Sequence, residues 1–206
     1  DDRELSRASL VSLKELQNSK AVSQAVAALH HEETQLAAVS YLVEFGDTGQ
    51  AEVLAKLAES NRSIDLVTGV VRAFSHWQSR DRQDPEARQQ LARALAVTQV
   101  KSEALLHWWL LDPAPDQEVS RLVEELNGVK QPGNLVLPAS LPPTRWVSRI
   151  ADGTDSVIRL QGDSDKQAGP VSDRLAVSDL FVEQPGNVEF LGSSDAAWQI
   201  WLNGRE

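Results

Sequence analysis

The sequence predicts a chain in two parts: an α-solenoid of antiparallel helix pairs, then an antiparallel β-sandwich or jelly roll cut before its end. Three observations predict it. Apolar residues recur at a step of 29, at Leu13, Leu42 and Val71 and again at Leu16, Phe45 and Phe74. Near Asn127-Gly128 the helical spacing gives way to runs that alternate with period 2. The last of these runs, residues 197–202, leads into Asn203-Gly204, a strong hairpin-turn signal, with only Arg205 and Glu206 left to return. Natural domains pair or cover such a Trp/Ile/Leu edge, so the chain is expected to be a piece of a longer protein. The expected division is a helical domain at 1–127, a linker at 128–143 and an incomplete sandwich at 144–206.

Leu10, Leu13 and Leu16 form the first helical stripe, and Val22, Val26 and Leu29 the second. Val26 and Leu29 correspond to Leu54 and Leu57 at a step of 28, and Leu91 and Ala94 follow after an extra stretch at 79–84. A fourth unit is expected to run as helix from Lys101 through Trp108-Trp109 and on through 113–126. The separators are Asn18-Ser19, Gly46-Asp47-Thr48-Gly49, residues 60–63 and Asp112-Pro113, all of which cap or interrupt helices. Asp84-Pro85-Glu86 reads as an N-cap followed by proline in the first turn. Each helix is marginal alone and must bury its stripe against neighbours.

Degenerate helix pairs recurring at about 30 residues are the sequence form of a solenoid. The units resemble HEAT repeats, above all residues 36–57, L-A-A-V-S-Y-L-V-E-F-G-D-T-G-Q-A-E-V-L-A-K-L, and the resemblance covers roughly 5–127. An irregular all-α domain fits the same stripes but does not explain the step.

Pro132, Gly133, Pro138, Pro142 and Pro143 mark an extended linker. Strands are expected at 145–150, 156–161, 173–182, 187–191 and 197–202, separated by turn clusters at 151–155, 162–170, 184–186 and 192–195. Residues 190–204, F-L-G-S-S-D-A-A-W-Q-I-W-L-N-G, resemble the strand-loop-strand of galactose-binding-like and protective-antigen-type sandwiches in large exported bacterial proteins. The resemblance implies a carbohydrate-linked, extracytoplasmic accessory domain. Ala196 and Ala197 stand where that family often carries a second Asp and a Gly.

Composition narrows the function. With 41% hydrophobic and 24% charged residues, the chain can bury a core. A formal charge of −10 argues against nucleic acid, and no apolar run reaches the length of a membrane span. The chain has no cysteine, which excludes disulfides and thiolate chemistry within it. Asp1-Asp2-Arg3 carries no signal-peptide pattern, so the start is expected to be a processed end or a fragment boundary.

Asp152, Asp155, Asp163 and Asp165 are candidate calcium ligands, because Asp-x-Asp loops with nearby carbonyls suit an oxygen-loving cation. The same residues are also ordinary turn composition. Trp108 and Trp109, adjacent on the expected helix, would point about 100° apart, so one is a candidate anchor for a neighbouring domain and ordinary core is the alternative. Trp201 and Asn203 are candidate ligand or interface residues; Trp146, Trp198 and Trp201 suit a sugar-stacking platform, but Trp198 and Trp201 alternate to opposite faces, at most one of them is exposed, and Trp198 reads as core. His30 and His31 read as helix-end residues, and His76 and Trp77 as packing residues.

No nucleophile triad, phosphate loop, dinucleotide fingerprint or zinc-protease motif is present. The expected function is a non-catalytic scaffold with a protein partner on the solenoid face and carbohydrate as a further ligand class. The alternative is an accessory region of a multidomain sugar-oxidising or glycan-degrading enzyme whose catalytic domain lies elsewhere.

Overall fold

The computed structural model describes residues 2–61, 63–80, 84–102, 104–111, 120–122, 124, 146–158 and 175–178. Its elements are α1 (Arg3–Glu15), α2 (Val22–Ala28), α3 (Glu32–Phe45), α4 (Ala51–Ser60), α5 (Ile64–Arg80), α6 (Pro85–Ser102), β1 (His107–Leu111), β2 (Trp146–Ile150) and β3 (Ala176–Val177). Short 3-10 turns, Ser19–Ala21 and Thr48–Gln50, lead into α2 and α4. The chain divides into two compact units, Asp1–Trp108 with Ser148–Arg159, and Trp109–Val147 with Leu160–Glu206.

The first unit is built of helices in rows. α1 packs on α3 and α3 on α5, while α4 packs on α6; α2 leans on α3, and α5 meets both α4 and α6. The step of 29 is the sequence trace of the first row, since Leu13, Leu42 and Val71 lie on α1, α3 and α5 in turn. Leu42, Val71 and Phe74 are fully buried, whereas Leu16, just past the end of α1, is 76% exposed. The gradient follows from position: in its row α1 meets only α3, whereas α3 lies between α1 and α5. Residues Leu54, Ala58, Leu91 and Leu95 bury the matching stripes of α4 and α6.

The helix ends are stopped by the residues the sequence offers. Asp47 accepts from Gly49 N–H at 2.8 Å while its own N–H donates to Gln50 Oε1 at 2.8 Å, a reciprocal capping box. Asp84 Oδ1 accepts from Glu86 and Ala87 N–H at 2.9 and 3.3 Å at the head of α6. Gly46 ends α3 where nothing larger fits: a Cβ there would lie 2.7 Å from the Leu42 oxygen and 2.8 Å from Trp77 Cζ2. Gly69 lets α5 close on α3, with a Cβ position 2.9 Å from Val39 Cγ1.

The expected fourth helical unit is corrected at its start. Residues 107–111 are a strand, because Gln99 Oε1 accepts from Leu106 N–H at 3.0 Å and His107 N–H at 3.4 Å, taking the donors that further helix would need. His-Trp-Trp-Leu-Leu then follows its β-propensity, burying His107 and Leu111 two pleats apart on the same side. Trp108 and Trp109 therefore point to opposite faces of a strand, not 100° apart on a helix.

The β elements form a three-stranded antiparallel sheet of order β2-β1-β3. Within the second unit β1 pairs with β3 in the register Trp109↔Val177 and Leu110↔Ala176, and Leu111 N–H donates to the Leu175 carbonyl at 2.9 Å. β2 falls where the strand at 145–150 is expected. The strand expected from 156 is not formed over 156–158. Ser156 instead takes a positive φ of 56° and donates to the Gly153 carbonyl at 3.3 Å, extending the preceding turn. The strands expected at 187–191 and 197–202 lie outside the described residues.

Candidate functional site

Along α5, Thr68, Arg72, Ser75 and Gln78 fall at i, i+4, i+7 and i+10 and so share one face. Segment 148–154 runs along that face. Gln78 Nε2 donates to Ser148 Oγ at 2.6 Å. Ser75 Oγ lies 3.3 Å from the Ile150 carbonyl and 3.1 Å from Asp152 Oδ1. Arg72 Nε donates to the Asp152 carbonyl at 3.3 Å, and the hydroxyls of Thr68 and Thr154 are 2.8 Å apart. Gly153 is buried, and a Cβ there would meet Thr68 Cγ2 at 3.2 Å. The opposite faces of α5 are already used, with Leu66, Val67, Val70, Val71, Phe74 and Trp77 buried.

At the head of this strap, His107 Nε2 lies 2.7 Å from Ser148 Oγ. The imidazole is 5% exposed. Burial pushes its pKa down to about 4, so the ring is neutral near pH 7. Ser148 Oγ accepts from Gln78 and shares a second hydrogen bond with His107 Nε2, whose donor is set by the tautomer of the neutral ring. A serine beside a neutral histidine has the form of a nucleophile with its base. Here Ser148 is part-buried and held between Gln78 and His107. The arrangement is built to bind the strap to α5.

Of the residues singled out from the sequence, Asp152 and Asp155 are both exposed. Asp152 Oδ1 accepts from Ser75, and Asp155 Oδ1 lies 3.5 Å from Val157 N–H. Among the described residues no three His, Cys, Asp or Glu side chains are grouped to hold a metal ion. Trp108 and Trp109 are half-buried, and the Trp108 indole donates to the Leu105 carbonyl at 2.9 Å. Asp163, Asp165, Trp198, Trp201 and Asn203 lie outside the described residues. His30 and His31 occupy the turn between α2 and α3, where the His31 carbonyl accepts from Thr34 Oγ1 at 3.0 Å. Trp77 is buried in α5 and His76 is exposed beside it.

The strap was not among the expected sites. Its one sequence signal is the polar stripe on α5, which reads as a solvent face until a partner for it is known.

Two further surfaces stand out. A groove of about 380 Å³ runs along α1 toward α2, lined by Leu5, Leu10, Leu13 and Ala21 among others, with Asp2 the single ionisable one among its described residues. Leu5, Leu36 and Ile64 are 59%, 52% and 62% exposed, and each lies in the first two turns of α1, α3 or α5. No described helix is long and apolar enough to cross a membrane. No family model, curated protein or solved structure matches the chain.

Proposed function

We propose that the chain is a non-catalytic scaffold: an α-solenoid, resembling HEAT repeats, whose exposed helix edge binds a protein partner. The observation that carries this reading is the exposure of Leu5, Leu36 and Ile64 near the starts of α1, α3 and α5, the three helices of one packed row. Each of these three helix starts carries one large apolar side chain in water. The polar side chains of the strap are engaged with those of α5. Burying one leucine-sized side chain at an interface contributes roughly 1.5–3 kcal/mol, so three such anchors can support a specific contact.

The test is affinity capture from the source organism's lysate with the wild-type chain and with the triple variant Leu5→Glu/Leu36→Glu/Ile64→Glu. All three positions are exposed, so the variant should keep its far-UV circular dichroism and its thermal midpoint. The reading expects a retained protein whose recovery drops at least tenfold with the triple variant and is unchanged by Glu59→Gln, an exposed change on α4. Equal recovery by wild type and triple variant would overturn it.

A further inference from the structure

We propose that segment 148–154 is an acid-released strap, held along α5 at neutral pH and let go when His107 takes up a proton. The geometry supplies the docked state. Docked, the strap meets α5 through Gln78, Ser75, Arg72 and Thr68. Its residues 148–150 lie beside β1 as the end of β2, and Ala151 N–H donates to the Leu106 carbonyl at 2.8 Å, so release also peels this end of β2 from β1. Most of these contacts are between neutral polar groups, which water can replace once the segment moves away. Of the strap's contacts to α5, the one at Ser148 also ties it to a titratable and nearly buried side chain.

Three neutral groups are described beside His107: Ser148 of β2 at its ring, Gln99 of α6 at its backbone N–H, and Gln78 of α5, which reaches the same serine oxygen. Among the described side chains, the charged and titratable ones on the same elements are Asp65, Arg72, His76 and Arg80 on α5, Glu86 and Arg93 on α6, Arg149 on β2 and Asp152 in the strap. Burial is the cause of the lowered pKa, and none of these charges enters it. Arg72 and Asp152 are engaged with the strap and α5 as described, and Arg80 reaches the Glu44 and Gly46 carbonyls at the end of α3.

The sign follows from the depressed value. A histidine near 6.5 when released and near 4 when docked binds more protons in the released state between those limits. The docked state therefore has its full advantage above about pH 6.5 and loses it as the pH falls toward 4. The opening constant rises roughly tenfold for each pH unit within that window. Release uncovers the Thr68, Arg72, Ser75 and Gln78 face of α5.

The test is hydrogen exchange on the full chain from pH 7 to pH 4.5, corrected for intrinsic rates, reading peptides that contain Ala151. Protection there should fall by about 50- to 100-fold, while peptides of α3 at Leu42 hold theirs. Asp152→Asn should keep the drop, which separates the histidine from the strap's own carboxylate. His107→Gln should abolish it. If His107→Gln does not fold, the wild-type imidazole titrated by NMR stands in for it, with a midpoint below pH 5 expected. Flat protection at Ala151, a fall shared equally with α3, loss of the drop in Asp152→Asn or a His107 midpoint near 6.5 would each overturn the proposal.

Discussion

The Trp77 indole N–H donates to the Leu42 carbonyl at 3.1 Å, so a side chain of α5 closes the C-terminal end of α3. The same carbonyl accepts from Gly46 N–H at 2.8 Å, and the Trp77 ring fills the space that a Gly46 side chain would need. One contact thus joins a helix end to its neighbour in the row. Phe74 packs against Trp77 with ring centroids 6.0 Å apart, tying the contact into the core.

Trp77→Phe removes the indole donor and part of the ring and is expected to destabilise the chain by about 1–3 kcal/mol. Gly46→Ala places a methyl group against the Leu42 oxygen and Trp77 Cζ2 and should cost about as much. The two changes should couple. Gly46→Ala should be milder in the Trp77→Phe background, because one of its two clashes is gone. Urea midpoints of the four proteins at constant m-value measure the coupling.

Tyr41 makes a second tie between segments. Its fully buried hydroxyl accepts from Ala21 N–H at 3.0 Å and donates to the Asn18 carbonyl, holding the turn before α2 against α3. Tyr41→Phe leaves both backbone groups without this partner and should cost about 1–3 kcal/mol. Hydrogen exchange at Ala21 should rise before exchange in α5 does.

Asp84→Ala removes the acceptor for Glu86 and Ala87 N–H and should lower stability by about 1 kcal/mol. Asp84→Asn keeps a side-chain oxygen and should retain most of it. Thermal melts of the three proteins decide between loss of the cap and loss of the charge.

The helical row was legible because burial and helix period coincide: Leu42, Val71 and Phe74 are apolar, spaced by the repeat and fully buried. The caps at Asp47 and Asp84 were legible because they act within three residues of their own position. What escaped depends on distant polar pairing. Gln99 stops a helix and starts a strand through its amide oxygen, which no periodicity announces. Ser148 and Thr154 meet Gln78 and Thr68 across 70 and 86 residues, and small polar side chains carry no pattern that says which will pair.

The stacking of α3 on α5 underlies both the fold and the scaffold reading, and it can be tested covalently because the chain has no cysteine of its own. A Cβ on Gly69 would lie 3.9 Å from Val39 Cβ, within the range a disulfide spans. Val39→Cys/Gly69→Cys should therefore oxidise within one chain to a cross-linked form that migrates faster on a non-reducing gel. Val39→Cys/Ser79→Cys, with its second thiol about 15 Å further along α5, should not. Failure of the first pair to cross-link in the folded chain, or equal cross-linking of both pairs, would contradict the stacked row.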